Sequence, residues 1–179
     1  MKNDFSQAVF KHVLAWLEHH NMPTSKIAMQ KALFFLQEKG VPLGFEFDSH
    51  TYGPFSRQVM ETATELANNN EIVIQRTEYS QAPGFVDSLS EKDKAHVDGL
   101  MGRFASMLGG RFTFDSLELY GTALYCLRAL QENKMNWNKD ALIQEFRAWK
   151  GIKYSDEQIS AAYDMLVEEF SCNQAEAVQ

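Results

Sequence analysis

A chain of 179 residues with 45% hydrophobic side chains, a formal net charge of −7 and two cysteines is long and apolar enough to bury one substantial core without metals or disulfides. The net acidity sets the whole-chain field against phosphate, so a nucleic-acid partner is disfavoured and would need a local basic patch. No apolar run approaches the roughly 20 residues that cross a bilayer, and the opening MKNDFSQAVFKH lacks a signal peptide's apolar stretch, so a cytoplasmic chain with no membrane partner is expected.

Charge is uneven along the chain. Residues 1–59 carry six Lys/Arg against five Asp/Glu, whereas residues 140–179 carry three against eight. Cys126 falls in an apolar helical stripe and Cys172 near the end, a placement that gives neither a metal spacing nor a disulfide framework. Both read as reduced thiols.

In chain order, Phe5, Val9, Phe10, Val13, Leu14, Trp16 and Leu17 recur at three and four residues and predict a helix from about Asp4 to His19, ended by Asn21-Met22-Pro23. Thr24 or Ser25 can cap a second helix carrying Ile27, Leu33, Phe34 and Leu36, which Gly40 and Pro42 stop. Phe45 to Thr51 fits an extended connector or edge strand. Tyr52-Gly53-Pro54-Phe55-Ser56 then reads as a stiff turn, with Pro54 fixing its own φ and Ser56 capping a third helix through Val59, Met60, Ala63, Leu66 and Ala67 to Asn68-Asn69-Asn70. Ile72-Val73-Ile74 and Phe85-Val86 read as two short strands around a loose tip at Ser80 to Gly84. Three helices followed by a two-stranded hairpin is the order of a winged helix.

The second half reads as helical throughout. Ser90-Glu91-Lys92-Asp93 opens a helix through Val97, Leu100, Met101, Phe104 and Leu108 to Gly109-Gly110, and Thr113 can cap the next, through Leu117, Leu124, Leu127 and Leu130. Asn138 can cap a helix with Leu142, Phe146 and Trp149 that ends at Gly151, and Ser155-Asp156-Glu157-Gln158 is a capping box for the last, with Ile159, Ala162, Leu166 and Phe170 inward. The expected fold is therefore mainly α: one helical domain over residues 1–172, winged-helix-like over about 4–89 and helical over about 90–172. It carries a small two-stranded β-hairpin and a frayed tail at 173–179.

The run Met29-Gln30-Lys31-Ala32-Leu33-Phe34 with the downstream Tyr52-Gly53-Pro54-Phe55-Ser56 resembles the Panacea-domain family, also called SocA-like, and its YwgA-like relatives, in which a Leu-Gln-Lys-Leu-Leu-Tyr type helix precedes a Tyr-Gly-Pro turn. The resemblance covers roughly residues 24–75 and extends loosely through Leu117 to Ala123 and Lys150 to Leu166. Ala32 stands where the family carries a bulky apolar residue, and Thr51 where an aromatic precedes the Tyr. The resemblance implies a small cytoplasmic helical protein with a winged-helix-like element, acting as an antitoxin or toxin-associated regulator by direct protein contact.

Site candidates follow from the same segments. Tyr52, Gly53, Pro54 and Phe55 can form a recognition knob, because aromatics beside a rigid turn lose little entropy on binding. The competing reading has the turn fix the angle between the second and third helices with both rings buried. Gln30 can hydrogen-bond the turn backbone, and Lys31 can meet a partner's anionic group or lie solvated with its stem over Tyr52. Ser56 and Arg57 complete the set; Arg57, Gln58, Thr62 and Asn68 would face DNA if the third helix were a recognition helix, but Glu61 and Glu65 share it. His12, His19, His20, His50 and His96 show no ligand spacing and read as surface residues. Asp48 and His50 can form a small polar cluster, and Glu157, Glu168, Glu169 and Glu176 a solvated acidic face suited to a basic partner. Without a phosphate loop, nucleophile elbow or metal signature, neither catalytic residue, metal nor cofactor is expected. The leading expectation is a non-catalytic interaction module, antitoxin-like or regulatory, and the alternative is a winged-helix DNA-binding transcriptional regulator. An enzyme is a distant third.

Overall fold

A computed structural model describes residues 4–170. Cys172, Glu176 and the expected tail at 173–179 lie outside the described residues. The chain is mainly helical: among the described residues there are seven α-helices and two two-stranded antiparallel sheets. None of these helices is long and apolar enough to cross a membrane. The residues divide into two compact units, 4–117 and 118–170 within the described range, and the division falls inside a helix.

In the first unit, α1 (Asp4–His19), α2 (Lys26–Glu38), α3 (Arg57–Asn68) and α4 (Glu91–Met107) surround the core. The starts of α2 and α4 match the sequence reading because the expected N-caps form. The amide of Ala28 donates to Ser25 Oγ at 3.2 Å, and that of Asp93 to Ser90 Oγ at 3.1 Å, each satisfying an otherwise orphaned N–H. Phe10, Leu14, Leu33, Phe35, Leu66 and Met101 are fully buried. Rings knit the elements together: Phe35 stacks on Phe104 at 4.8 Å, and Phe10 meets Tyr79 edge to face at 5.5 Å.

Two short hairpins interrupt these helices. In the first, β1 (Asp48–His50) pairs with β2 (Gly53–Phe55), with His50 opposite Gly53, so Thr51-Tyr52 is a two-residue turn. This corrects the expected Tyr-Gly-Pro turn: Gly53-Pro54-Phe55 is a strand, and Pro54, which lacks an N–H, sits in a sheet of only two strands where that is tolerated. The second hairpin pairs β3 (Ile72–Gln75) with β4 (Glu78–Gln81). Its tip is Arg76-Thr77, with Arg76 at φ +58°, instead of the expected Ser80 to Gly84. Phe85-Val86 is irregular chain and not a strand, because Pro83-Gly84 marks the exit from the hairpin and not its tip. The amide of Phe85 donates to Ala82 O at 3.0 Å there. On its outer edge β4 bridges to the α1–α2 connector, with Tyr79 N–H donating to Thr24 O at 2.9 Å and Lys26 N–H to Thr77 O at 2.8 Å.

Helix α5 (Phe114–Glu132) begins in the first unit, where Thr113 and Ser116 cap it reciprocally: each amide donates to the other's hydroxyl at 3.1 Å. Its remainder belongs to the second unit with α6 (Lys139–Lys150) and α7 (Asp156–Phe170). There Leu142, Phe146, Ile159 and Leu166 are fully buried, and Tyr125 meets Trp149 edge to face at 5.4 Å. Asn138 caps α6 and a Ser155–Gln158 capping box opens α7, as read from the sequence. The Cys126 thiol is buried, and that burial, with the negative Glu145 nearby, pushes its pKa up to about 12. A thiol so held is inert at neutral pH.

Candidate functional site

The resemblance-bearing residues converge on one feature of the first unit. Helix α2 faces the β1–β2 hairpin, and two glutamines seven residues apart on α2 bind its flanks. Gln30 donates from Nε2 to Ser56 O and accepts from Ser56 N–H, both at 2.9 Å. Gln37 does the same to Phe45, at 2.7 Å to the carbonyl and 2.8 Å from the amide. Each side-chain amide thus substitutes for one residue of a neighbouring strand, holding the segment from Phe45 to Ser56 at both ends.

Lys31 adds a third tie. It is only 3% exposed and its Nζ donates to Pro54 O at 2.8 Å. This overturns the solvated reading of Lys31: the hairpin brings a strand carbonyl to the amine, whose charge is met by the chain's own backbone. Gln30 meets the turn-side backbone as expected, while Ser56 corrects its expectation. It stands at the N-cap of α3, but its hydroxyl makes no cap bond and has no partner among the described residues, while its backbone N–H and C=O are both bound by Gln30.

Tyr52, at the tip of the two-residue turn, is 52% exposed and meets Phe114, 44% exposed, edge to face at 5.0 Å. Phe55 is half-buried with its ring 5.0 Å from that of His50. The expectation that both turn rings are buried is therefore corrected, since a turn tip projects its side chain away from the sheet. Gly53 adopts φ +101°, a conformation that side-chain-bearing residues avoid. Gly53→Val is expected to destabilise by about 1–3 kcal/mol, and Pro54→Ala by less, as read from urea midpoints. Equal midpoints for Gly53→Val and wild type would dismiss the strain.

Behind the aromatic pair opens a cleft of about 550 Å³. Its apolar wall includes Ile27, Phe55, Met60, Phe112, Phe114 and Leu117, and its polar lining includes Gln30 and Lys31. The Tyr79 hydroxyl reaches Sδ of the lining residue Met60 at 3.7 Å, and burial pushes that phenol up to about 12. Phe112 and Phe114 come from the α4–α5 junction, outside the segment that the resemblance covers, and Gln37 was not singled out from the sequence. A glutamine two helical turns beyond Gln30 on the same face was the signal available for Gln37.

The other candidate residues lie elsewhere or do other work. Arg57 and Asn68 are exposed on α3 alongside Glu61 and Thr64, but Thr62 is buried, its hydroxyl donating to Gln58 O at 2.8 Å, and so is removed from any recognition face. Gln58 accepts from Glu46 N–H at 2.6 Å. His12 is not a surface histidine: it is buried with Nδ1 2.7 Å from Asp87 and Nε2 2.7 Å from Asp98. These partners lie 75 and 86 residues away, which no local spacing reveals. On α7, Glu157 and Glu168 are exposed, while Asp156 and Asp164 pair with Arg147 and Lys139. Among the described residues no group of His, Cys, Asp and Glu is arranged to hold a metal ion. In comparisons with known proteins, no family model matches this chain and no curated protein matches it.

Proposed function

We propose that this chain is a non-catalytic, cytoplasmic protein-interaction module, an antitoxin-like or regulatory partner of another protein, whose contact surface centres on Tyr52 and Phe114. The observation that carries the reading is the pair of half-exposed aromatic rings at the lip of an apolar cleft. Exposed aromatics on a held backbone are the groups that supply most binding energy at protein interfaces, because little freedom is lost when they dock. The double clamp of Gln30 and Gln37 and the Lys31 tie supply that rigidity. The resemblance to the Panacea family points the same way. Gln30 and Lys31 bind backbone groups, which favours a structural role for them over an acid–base one.

Pull-down of the tagged full chain from its native host, with nuclease treatment and mass spectrometry, tests this. A stoichiometric protein partner is expected with wild type and is lost with Tyr52→Ala and with Phe114→Ala, whose melting temperatures stay near wild type. Retention of the partner by both variants, or recovery of no protein partner, overturns the reading.

The order of three helices and a hairpin favours a second reading, a winged-helix DNA-binding regulator. The exposed face of α3 sets Glu61 beside Arg57, a poor match to phosphate. DNA recovered without nuclease, with no protein partner in either sample, would move the assignment there.

A further inference from the structure

The cleft behind Tyr52 has a charge pattern that its apolar wall does not require. Its lining includes Lys26, Lys31 and His50, and among the described residues no aspartate or glutamate, in a chain whose net charge is −7. Lys31 lies deep, tied to Pro54 O. Lys26, in the first turn of α2, and the exposed His50, next to the Thr51-Tyr52 turn, stand nearer solvent. A volume of about 550 Å³ falls within the range of pockets that enclose small molecules.

We infer that this cleft binds a small apolar carboxylic acid, its hydrocarbon body against Ile27, Met60, Phe112 and Leu117 and its carboxylate toward the Lys26, Lys31 and His50 side. An apolar wall alone would accept any hydrophobe of the right size. Cations without a carboxylate in the lining favour an anionic end and repel a cationic one. Lys26, the lysine nearer solvent, is the charge that the carboxylate approaches, and the tie of Lys31 to Pro54 O stays in place. The acid would occupy the cleft beside the aromatic lip, so the inference shares that surface with the interaction proposed above but stands without any protein partner.

Calorimetric titration of the full chain with decanoate and with 2-naphthoate, against 1-decanol and decylammonium, tests the inference directly. At least one acid is expected to bind with one-to-one stoichiometry, about tenfold or more tighter than the alcohol, as a charge-assisted contact implies, and the amine not at all. In methyl spectra of the unmodified protein, the Ile27 and Met60 signals should shift on titration. Lys26→Gln should weaken the acid roughly three- to tenfold while leaving the alcohol unchanged. Binding of alcohol and acid with equal affinity removes the charge argument and overturns the inference. So does the absence of binding by both acids to folded protein, or methyl shifts confined to residues outside the cleft. These readouts involve no partner protein, so a failed titration leaves the pull-down result intact, and a failed pull-down leaves the titration intact.

Discussion

Gln30→Leu is expected to destabilise the chain by about 3 kcal/mol, a shift of roughly 6–12 °C in Tm for a protein of this size. The side-chain amide is 3% exposed and makes two 2.9 Å hydrogen bonds to the backbone of Ser56. Leucine conserves volume but leaves a buried N–H and a buried C=O without partners, and each such group carries a desolvation penalty of about 1–3 kcal/mol. Ser56→Ala is the control that separates this account from a general sensitivity of the site. The Ser56 hydroxyl is buried and has no partner among the described residues, so its removal should change stability by less than about 0.5 kcal/mol or raise it. Urea denaturation of both variants decides the matter. A Gln30→Leu midpoint equal to wild type, or a Ser56→Ala loss as large as that of Gln30→Leu, would show that the clamp does not hold the hairpin.

That clamp marks the limit of what local sequence reveals here. Helices α1 and α3 and the caps at Ser25, Ser90, Asn138 and Ser155 were legible because periodicity and capping act within a few residues. The hairpin tips were not. Arg76-Thr77 carries none of the glycine or asparagine that usually signals a two-residue turn, and the Arg76 backbone is nevertheless held at φ +58°. The true strand partner of Ile72 to Gln75 is the polar run Glu78 to Gln81, in which Tyr79 alone is buried. Its β pairing is completed by the α1–α2 connector, a long-range contact.

At the candidate site the Gln30, Lys31 and Tyr52 to Ser56 segments could be picked out together, but not what each side chain does. Lys31 was expected at the surface because lysines seldom lie buried, yet a strand carbonyl 23 residues away receives it. Phe112 and Phe114 reach the cleft only through the path of the α4–α5 junction, and His12 finds its two aspartates on segments far along the chain. In each case a tertiary contact, and not a local preference, assigns the role.

Glu118→Ala is expected to cost about 3–5 kcal/mol, because it removes the counter-charge from a buried cation. In the second unit Glu118 is 1% exposed. Its Oε1 accepts from the Lys153 ammonium and, at 2.7 Å, from the Tyr154 hydroxyl, and its Oε2 lies 3.3 Å from Lys150 Nζ. The Lys150 side chain is itself 6% exposed. Burial by itself would raise the Glu118 carboxyl, but the hydrogen bonds from Lys153 and Tyr154, with the charge and hydrogen bond of Lys150, outweigh it and hold the group below its ordinary value. A carboxyl lowered on folding contributes stability that is present above its unfolded pKa, about 4.3, and is lost as pH falls through the folded one. The difference between wild type and Glu118→Gln, which keeps the shape but not the charge, should therefore be largest near neutral pH and shrink as pH drops below about 4. Urea denaturation of the two proteins across that range reads this out. A stability gap independent of pH would assign the effect to packing and remove the ion cluster from the account of how α5 holds the loop between α6 and α7.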